Sequence, residues 1–144
     1  MDKYLITTLF SLLLMSPLWA QDSGNIVVEV NEISKPAEGP IYFMLFDTEE
    51  GFPREVNFAR LVGKVEVEDD KALYRFENLP YGIYAVAIFQ DENGNGEIDR
   101  NFVGFPKEPI GASNMYKLGK PSFEKSQIRL DRPEVFTKLK FLID

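Results

Sequence analysis

The chain predicts an all-β protein, a seven-stranded antiparallel two-sheet sandwich with one long ordered excursion. Three observations carry that expectation. Short apolar stretches recur along the chain, each closed by a cluster of Gly, Pro, Asn or Asp, the punctuation of a sandwich. β-branched and aromatic residues dominate those stretches, as a pleated, half-buried surface favours. No sustained helical stripe of apolar positions competes with them.

Residues 1–20, MDKYLITTLFSLLLMSPLWA, are set apart first. Lys3, an apolar run from Leu5 to Met15, Ser16-Pro17 and the small Ala20 follow the order of a secretory leader. The run is too short and too poorly flanked for a spanning helix. Cleavage near Ala20 would make the protein periplasmic or extracellular. Leu18 is larger than the residue preferred three positions before a cut, so an uncleaved N-terminal anchor is the alternative. No cysteine follows, which excludes N-terminal lipidation. Residues 21–144 suffice for a single domain and its core, not for two. No second apolar segment is long enough to span a bilayer.

The strands follow in order. NIVVEVNEI (25–33) alternates through Ile26, Val28 and Val30, and SKPAEGP closes it. IYFMLF (41–46) is apolar on both faces, as a strand between layers would be. LVGKVEVED (61–69) sets Val65 and Val67 against Lys64, Glu66 and Glu68. Asp69-Asp70 turns the chain into ALYRFENL (72–79), and Asn78-Leu79-Pro80-Tyr81-Gly82 is a second strong turn. IYAVAIF (83–89) is the most hydrophobic strand and should be central. IRL (128–130) and VFTKLKFLI (135–143) complete the seven. EVNFARLV (55–62) is the best helical candidate and defines the alternative, an α+β domain. Residues Asp91 to Lys125 hold no convincing strand, yet Ile98, Phe102, Phe105, Ile110, Met115 and Phe123 make them too apolar for disorder. They should pack as an Ω-like excursion over one end of the sandwich.

Charge and absent residues narrow the function. A net charge of −7 without a basic stripe argues against nucleic acid and anionic membrane surfaces, which need clustered Lys and Arg. There is no Cys and no His. Thiol, Ser-His-Asp and Cys-His catalysis are therefore excluded, as are the usual zinc and copper ligands. No complete catalytic constellation remains, and the chain reads as a non-enzyme.

The most specific chemistry lies in QDENGNGEID (90–99). Asp91, Asn93 and Asn95 occupy alternate positions, followed by Gly96, Glu97, Ile98 and Asp99, the opening of a D-x-[DN]-x-[DN]-G calcium loop. Alternate side chains turn inward in a tight loop and surround a hard cation with oxygens. Glu97 would contribute its carbonyl and Asp99 a direct or water-bridged contact, while Ile98 would pin the loop to the core. Phe102 stands where an EF-hand has its bidentate Glu, and a strand leads in, so a helix-loop-helix sensor is excluded. Glu108 or Glu92 are candidates to complete the shell, and Asn114 is weighed with them. Two amides in place of carboxylates put the expected affinity in the weak class, about 10⁻⁴–10⁻³ M. An Asx-rich turn with no metal is the alternative. A glycosidase pair of Asp91 or Glu92 with Asp99 has only the presence of two acids behind it. Elsewhere, Tyr84 is placed to bond back across a corner, Phe52-Pro53 to close the sandwich end, and Lys117, Lys120, Lys125, Lys138 and Lys140 to lie on solvated faces.

With these residues in view, the mature chain resembles a secreted bacterial family, domain of unknown function 2141. The resemblance rests on Leu79-Pro80-x-Gly82-x-Tyr84-Ala85, the 91–99 loop, Gly104-x-Pro106-x-Glu108, Ser113-Asn114 and Pro121-Ser122-Phe123. It implies an exported immunoglobulin-like or transthyretin-like sandwich and brings no catalytic activity with it. Many members look to have His before the first loop Asp, where this chain has Gln90.

Three functional expectations follow. The first is a non-enzymatic module with a structural calcium ion, used for binding or as an envelope accessory. The second is a glycan- or small-ligand-binding module that uses the 91–125 excursion, with Tyr116, Phe123 and Tyr81 as stacking surfaces. The third is a metal-assisted hydrolase. An envelope protein or a glycan is the partner class they leave, and no oligomeric state is assigned.

Overall fold

The computed structural model describes residues 22–117 and 119–143. The leader expected at residues 1–20 lies outside the described residues. The strands are β1 (Ser23–Val30), β2 (Ile41–Phe46), β3 (Leu61–Val65), β4 (Ala72–Pro80), β5 (Gly82–Gln90), β6 (Ile110–Ala112), β7 (Gln127–Leu130) and β8 (Glu134–Leu139). They form two sheets, β4-β1-β8 and β3-β2-β5-β6, with β7 also on β5. The all-β sandwich is borne out, with one strand more than expected.

Two apolar clusters explain the composition of the strands. Ile41, Phe43 and Leu45 of β2 and Tyr84, Val86 and Ile88 of β5 face the three-stranded sheet, where they meet Ile26, Val28, Phe76 and Leu79. Met44, Phe46, Ala87 and Phe89 point the other way and pack under Ile98 and Ile110 of the excursion. The five-stranded sheet is thus covered on both faces, so IYFMLF and YAVAIF need no polar side. Phe52 meets Phe46 and Phe123 edge-on, with ring centroids 5.2 and 6.0 Å away, and so closes the second cluster. Tyr84 donates its hydroxyl to the carbonyl of Pro80 at 2.7 Å, which bonds back across the turn as expected.

The excursion departs from expectation because it contains β6. One edge of β5 carries two partners in tandem: β7 along Gly82–Ala85 and β6 along Ala87–Phe89. Ser113 serves the gap at Val86. Its N–H donates to the Val86 carbonyl, its hydroxyl accepts from the Val86 N–H, and that hydroxyl donates to the carbonyl of Ser126. A buried strand residue between two partners therefore keeps both backbone groups bonded.

Four further expectations are corrected. Strand β8 runs parallel to β1, with Ile26 opposite Val135 and Val30 opposite Leu139, so the sandwich is not wholly antiparallel. The helical candidate 55–62 makes only a single 3₁₀ turn, Val56–Phe58, before β3 begins. Strand β3 ends at Val65, short of Asp69. Of the lysines assigned to solvated faces, Lys140 is half-buried and the other four are exposed.

Candidate cation site

The site begins where β5 leaves the sheet. Gln90 is buried, and its amide donates to the carbonyls of Lys35 at 2.8 Å and Gly39 at 3.0 Å. The N–H of Asp91 donates to the Pro40 carbonyl at 3.0 Å. The strand end is therefore tied to the turn preceding β2. Gly39 makes this approach possible: a Cβ there would lie 2.1 Å from the Asp91 carbonyl oxygen.

Asp91 is the hub of the loop and is only 2 % exposed. Its Oδ1 accepts from the N–H groups of Gly94 at 2.9 Å and Asn95 at 3.2 Å, and its Oδ2 from that of Gly96 at 3.0 Å. Gly94 and Gly96 adopt φ of 74° and 75°, left-handed values that aim successive N–H groups at one carboxylate. Asn93 Oδ1 accepts from the Asn95 N–H at 3.1 Å, and Asn95 Oδ1 from the Glu97 N–H at 2.9 Å. The amide nitrogens of both asparagines donate to Asp99, that of Asn95 at 3.1 Å. Asn93, Asn95 and Asp99 thus meet on one side of the loop, but the two asparagines turn their amide nitrogens, not their oxygens, to Asp99, an arrangement that an Asx turn makes without a metal. Glu97 is exposed and takes part through its N–H. Ile98 is buried in the second cluster and fastens the loop to the core.

Glu108 joins the two ends of the loop. It is 3 % exposed, and its two oxygens accept from the N–H of Glu92 at 3.1 Å and of Asp99 at 3.0 Å. Burial pushes the Glu108 carboxyl above its ordinary value, the Asp91 and Asp99 charges add to this, and the two N–H donors oppose it. Glu92 also titrates high, first through desolvation and then through its hydrogen bond and charge contact with Glu38. Its side chain engages Glu38 rather than Asp99. Asn114 stands apart, with its amide donating to the Gln127 carbonyl at 2.6 Å. The part played by Gln90 and Gly39 lies outside the loop motif, because it depends on a turn some fifty residues away in sequence.

The shift at Glu108 has a measurable consequence. A carboxyl raised in the fold favours the folded state most below its ordinary value of 4.5. That contribution is lost as pH rises through the folded value and is flat above it. Urea titrations in chelator, from about pH 4 to pH 7, are expected to show this loss in the wild type. In Glu108→Gln the slope is expected to be shallower, with only the Glu92 part remaining. Parallel curves for the two proteins would contradict the assignment.

Other groups arrange themselves differently from expectation. Tyr81 is half-buried against the main core, Phe123 lies against Phe52, and Tyr116 is exposed beside Asn31, Lys138 and Lys140. The three rings form no common stacking face. An apolar hollow of about 600 Å³ lies instead between Phe105, Pro106, Ile110, Pro121 and Ile143, with Arg54 and Lys120 at its wall. Among the described residues, no three Asp, Glu, His or Cys side chains form a metal-holding group by themselves. The donor set at the loop is one of two carboxylates and two amides.

Fold and site together define a two-sheet β-sandwich that carries an Asx-rich loop wound on a buried aspartate at the end of its central strand. The chain belongs to the bacterial family described as "Uncharacterized protein conserved in bacteria (DUF2141)", whose family profile matches residues 28–137. No curated protein and no solved structure shows significant similarity to it.

Proposed function

We propose that this chain is an exported, non-enzymatic β-sandwich module whose 91–99 loop holds a structural calcium ion, in a binding or accessory role in the cell envelope. The observation that carries this reading is the convergence of Asn93, Asn95 and Asp99 around a loop wound on Asp91. An ionised carboxylate has about four lone-pair sites. Three N–H groups hold Asp91, which leaves one site for a cation. The loop's carboxylate and amide oxygens are the type calcium prefers, and the two asparagine amides would turn from Asp99 to present theirs to the ion. A bound ion would neutralise the paired charges of Asp91 and Asp99, and Asp99 would exchange its amide donors for it. Glu108 spends both oxygens on backbone N–H groups, so its role is to hold the loop ends together. The leader-like order of residues 1–20 in the sequence supports export.

Thermal unfolding with calcium and with chelator tests the reading. A ligand present at a hundred times its Kd, and bound only to the folded state, adds about 2.7 kcal/mol. For a domain of this size that raises Tm by roughly 5–10 °C. Asp99→Asn removes a ligand charge and is expected to erase most of the rise. A Tm indifferent to calcium, with no heat in a calorimetric titration, would leave a plain Asx turn.

A further inference from the structure

We propose that the turn from Arg100 to Pro106 is an insertion tip for an anionic bilayer surface, a role separate from the cation loop. The turn is built rigidly. Arg100 bridges Pro106, and the Lys107 N–H donates to the Asp99 carbonyl at 2.8 Å. The Asn101 N–H donates to the Phe105 carbonyl and the Gly104 N–H to the Asn101 carbonyl, both at 2.9 Å. The Asn101 side-chain oxygen accepts from the N–H groups of Val103 and Phe105, both at 3.0 Å. Such a turn holds its side chains in place without help from the core, yet it presents apolar ones. Phe102 is 100 % exposed, Phe105 64 % and Val103 60 %.

Two features identify the partner. The first is the state of the backbone. Four of the five N–H groups from Asn101 to Phe105, all but that of Phe102, are bonded within the turn, so shallow insertion would strip few of them of partners. Unbonded backbone groups are what exclude most loops from hydrocarbon. The second is charge. Arg54, Arg100 and Lys120 line one hollow beside the turn, and Arg54 and Lys120 share the next with Phe105 and Pro106. Lys107 is exposed on the arm of the turn itself. Arg100 is paired with Glu55 at 2.7 Å, whereas Arg54, Lys107 and Lys120 form no ion pair among the described residues.

These cations are scattered in sequence, and a chain of charge −7 argued against an anionic surface. Folding gathers them at the base of an apolar tip. An apolar wedge with basic residues at its root is the arrangement that combines acyl burial with attraction to anionic headgroups. A projecting, fully exposed ring also suits a partner that deforms around it better than one that must supply a matching pocket.

The test uses the domain from Gln21 onward, which keeps every strand from β1 to β8. Co-sedimentation with vesicles of phosphatidylcholine mixed equally with phosphatidylglycerol is measured in chelator and in calcium. Binding is expected to the mixed vesicles, to fall with added salt, and to be much weaker on phosphatidylcholine alone. Phe102→Ser, which touches no core residue, is expected to weaken binding about tenfold or more. Lys107→Gln and Lys120→Gln are expected to weaken it about fivefold each. Failure to bind in both chelator and calcium would overturn the proposal, as would binding that Phe102→Ser leaves unchanged. Self-association that depends on Phe102, found without vesicle binding, would assign the tip to a second copy and also overturn it. The calorimetric calcium titration reads the 91–99 loop separately, so neither failure mimics the other.

Discussion

Phe89→Ala is expected to lower the unfolding free energy by about 4 kcal/mol, the mid-range cost of removing a fully buried aromatic ring. Phe89 is buried completely on the central strand β5 and stacks on Tyr42 with ring centroids 4.8 Å apart. It belongs to the cluster that holds Ile98 and Ile110, so its removal opens a cavity beneath the candidate cation loop. The urea midpoint is expected to fall with little change in slope. If the proposed calcium ion is held by the loop, its affinity would drop in this variant, because the loop loses the floor that Ile98 packs on. A loss below about 1 kcal/mol would mean that this second cluster is not a packed core.

Gly39→Ala is the second large effect, at about 3 kcal/mol or more. Two costs combine. The residue sits at φ 143° and ψ 170°, a region that is essentially glycine-only and strained by about 1–3 kcal/mol for other residues. In addition, the new methyl would stand 2.1 Å from the Asp91 carbonyl oxygen and 2.9 Å from its carbon. Neither contact involves the flexible end of a side chain, so the turn or the strand end must move. That movement would also break the bond from Gln90 to the Gly39 carbonyl. Gly94→Ala is the control. It too has positive φ, 74°, but its Cβ would meet nothing within 4 Å, so only the backbone cost of about 1–2 kcal/mol applies. Equal losses at the two positions, measured by urea unfolding, would dismiss the close approach as the cause.

The two variants probe opposite sides of one junction. Phe89 supports the loop from the outer face of the five-stranded sheet, and Gly39 lets the turn before β2 lie against Asp91. Glu108 then joins the loop to the segment entering β6. Through these contacts the 91–99 loop is bound to the rest of the fold at three points outside it. A cation held by the loop would therefore stabilise more than the loop itself.

Whatever depended on local spacing was legible from the residues alone. Strand β2 occupies residues 41–46 as expected, because an uninterrupted apolar run between turn signals has few other uses in an all-β chain. Asn93, Asn95 and Asp99 converge because side chains two apart in a tight loop share a side, and the glycines at 94 and 96 permit the winding. Strand β6 was not legible. Ile-Gly-Ala has little strand propensity of its own and is extended because it pairs with β5. The parallel pairing of β8 with β1 was also hidden, since alternation reports which face is buried and not which way a neighbour runs.

The amino-acid sequence by itself determined an all-β chain, two strands buried on both faces, and an Asx-rich loop after the central strand. These follow from periodicity and turn chemistry, which act over a few residues. Only the tertiary structure decided that Glu108 clasps the loop ends, that Gly39 makes room for Asp91, and that Arg54, Arg100, Lys107 and Lys120 gather around the Phe102 turn. Those are meetings that lie beyond the reach of a turn, and that at Gly39 spans about fifty residues. The packing of the whole fold brings them about, and no local pattern encodes it.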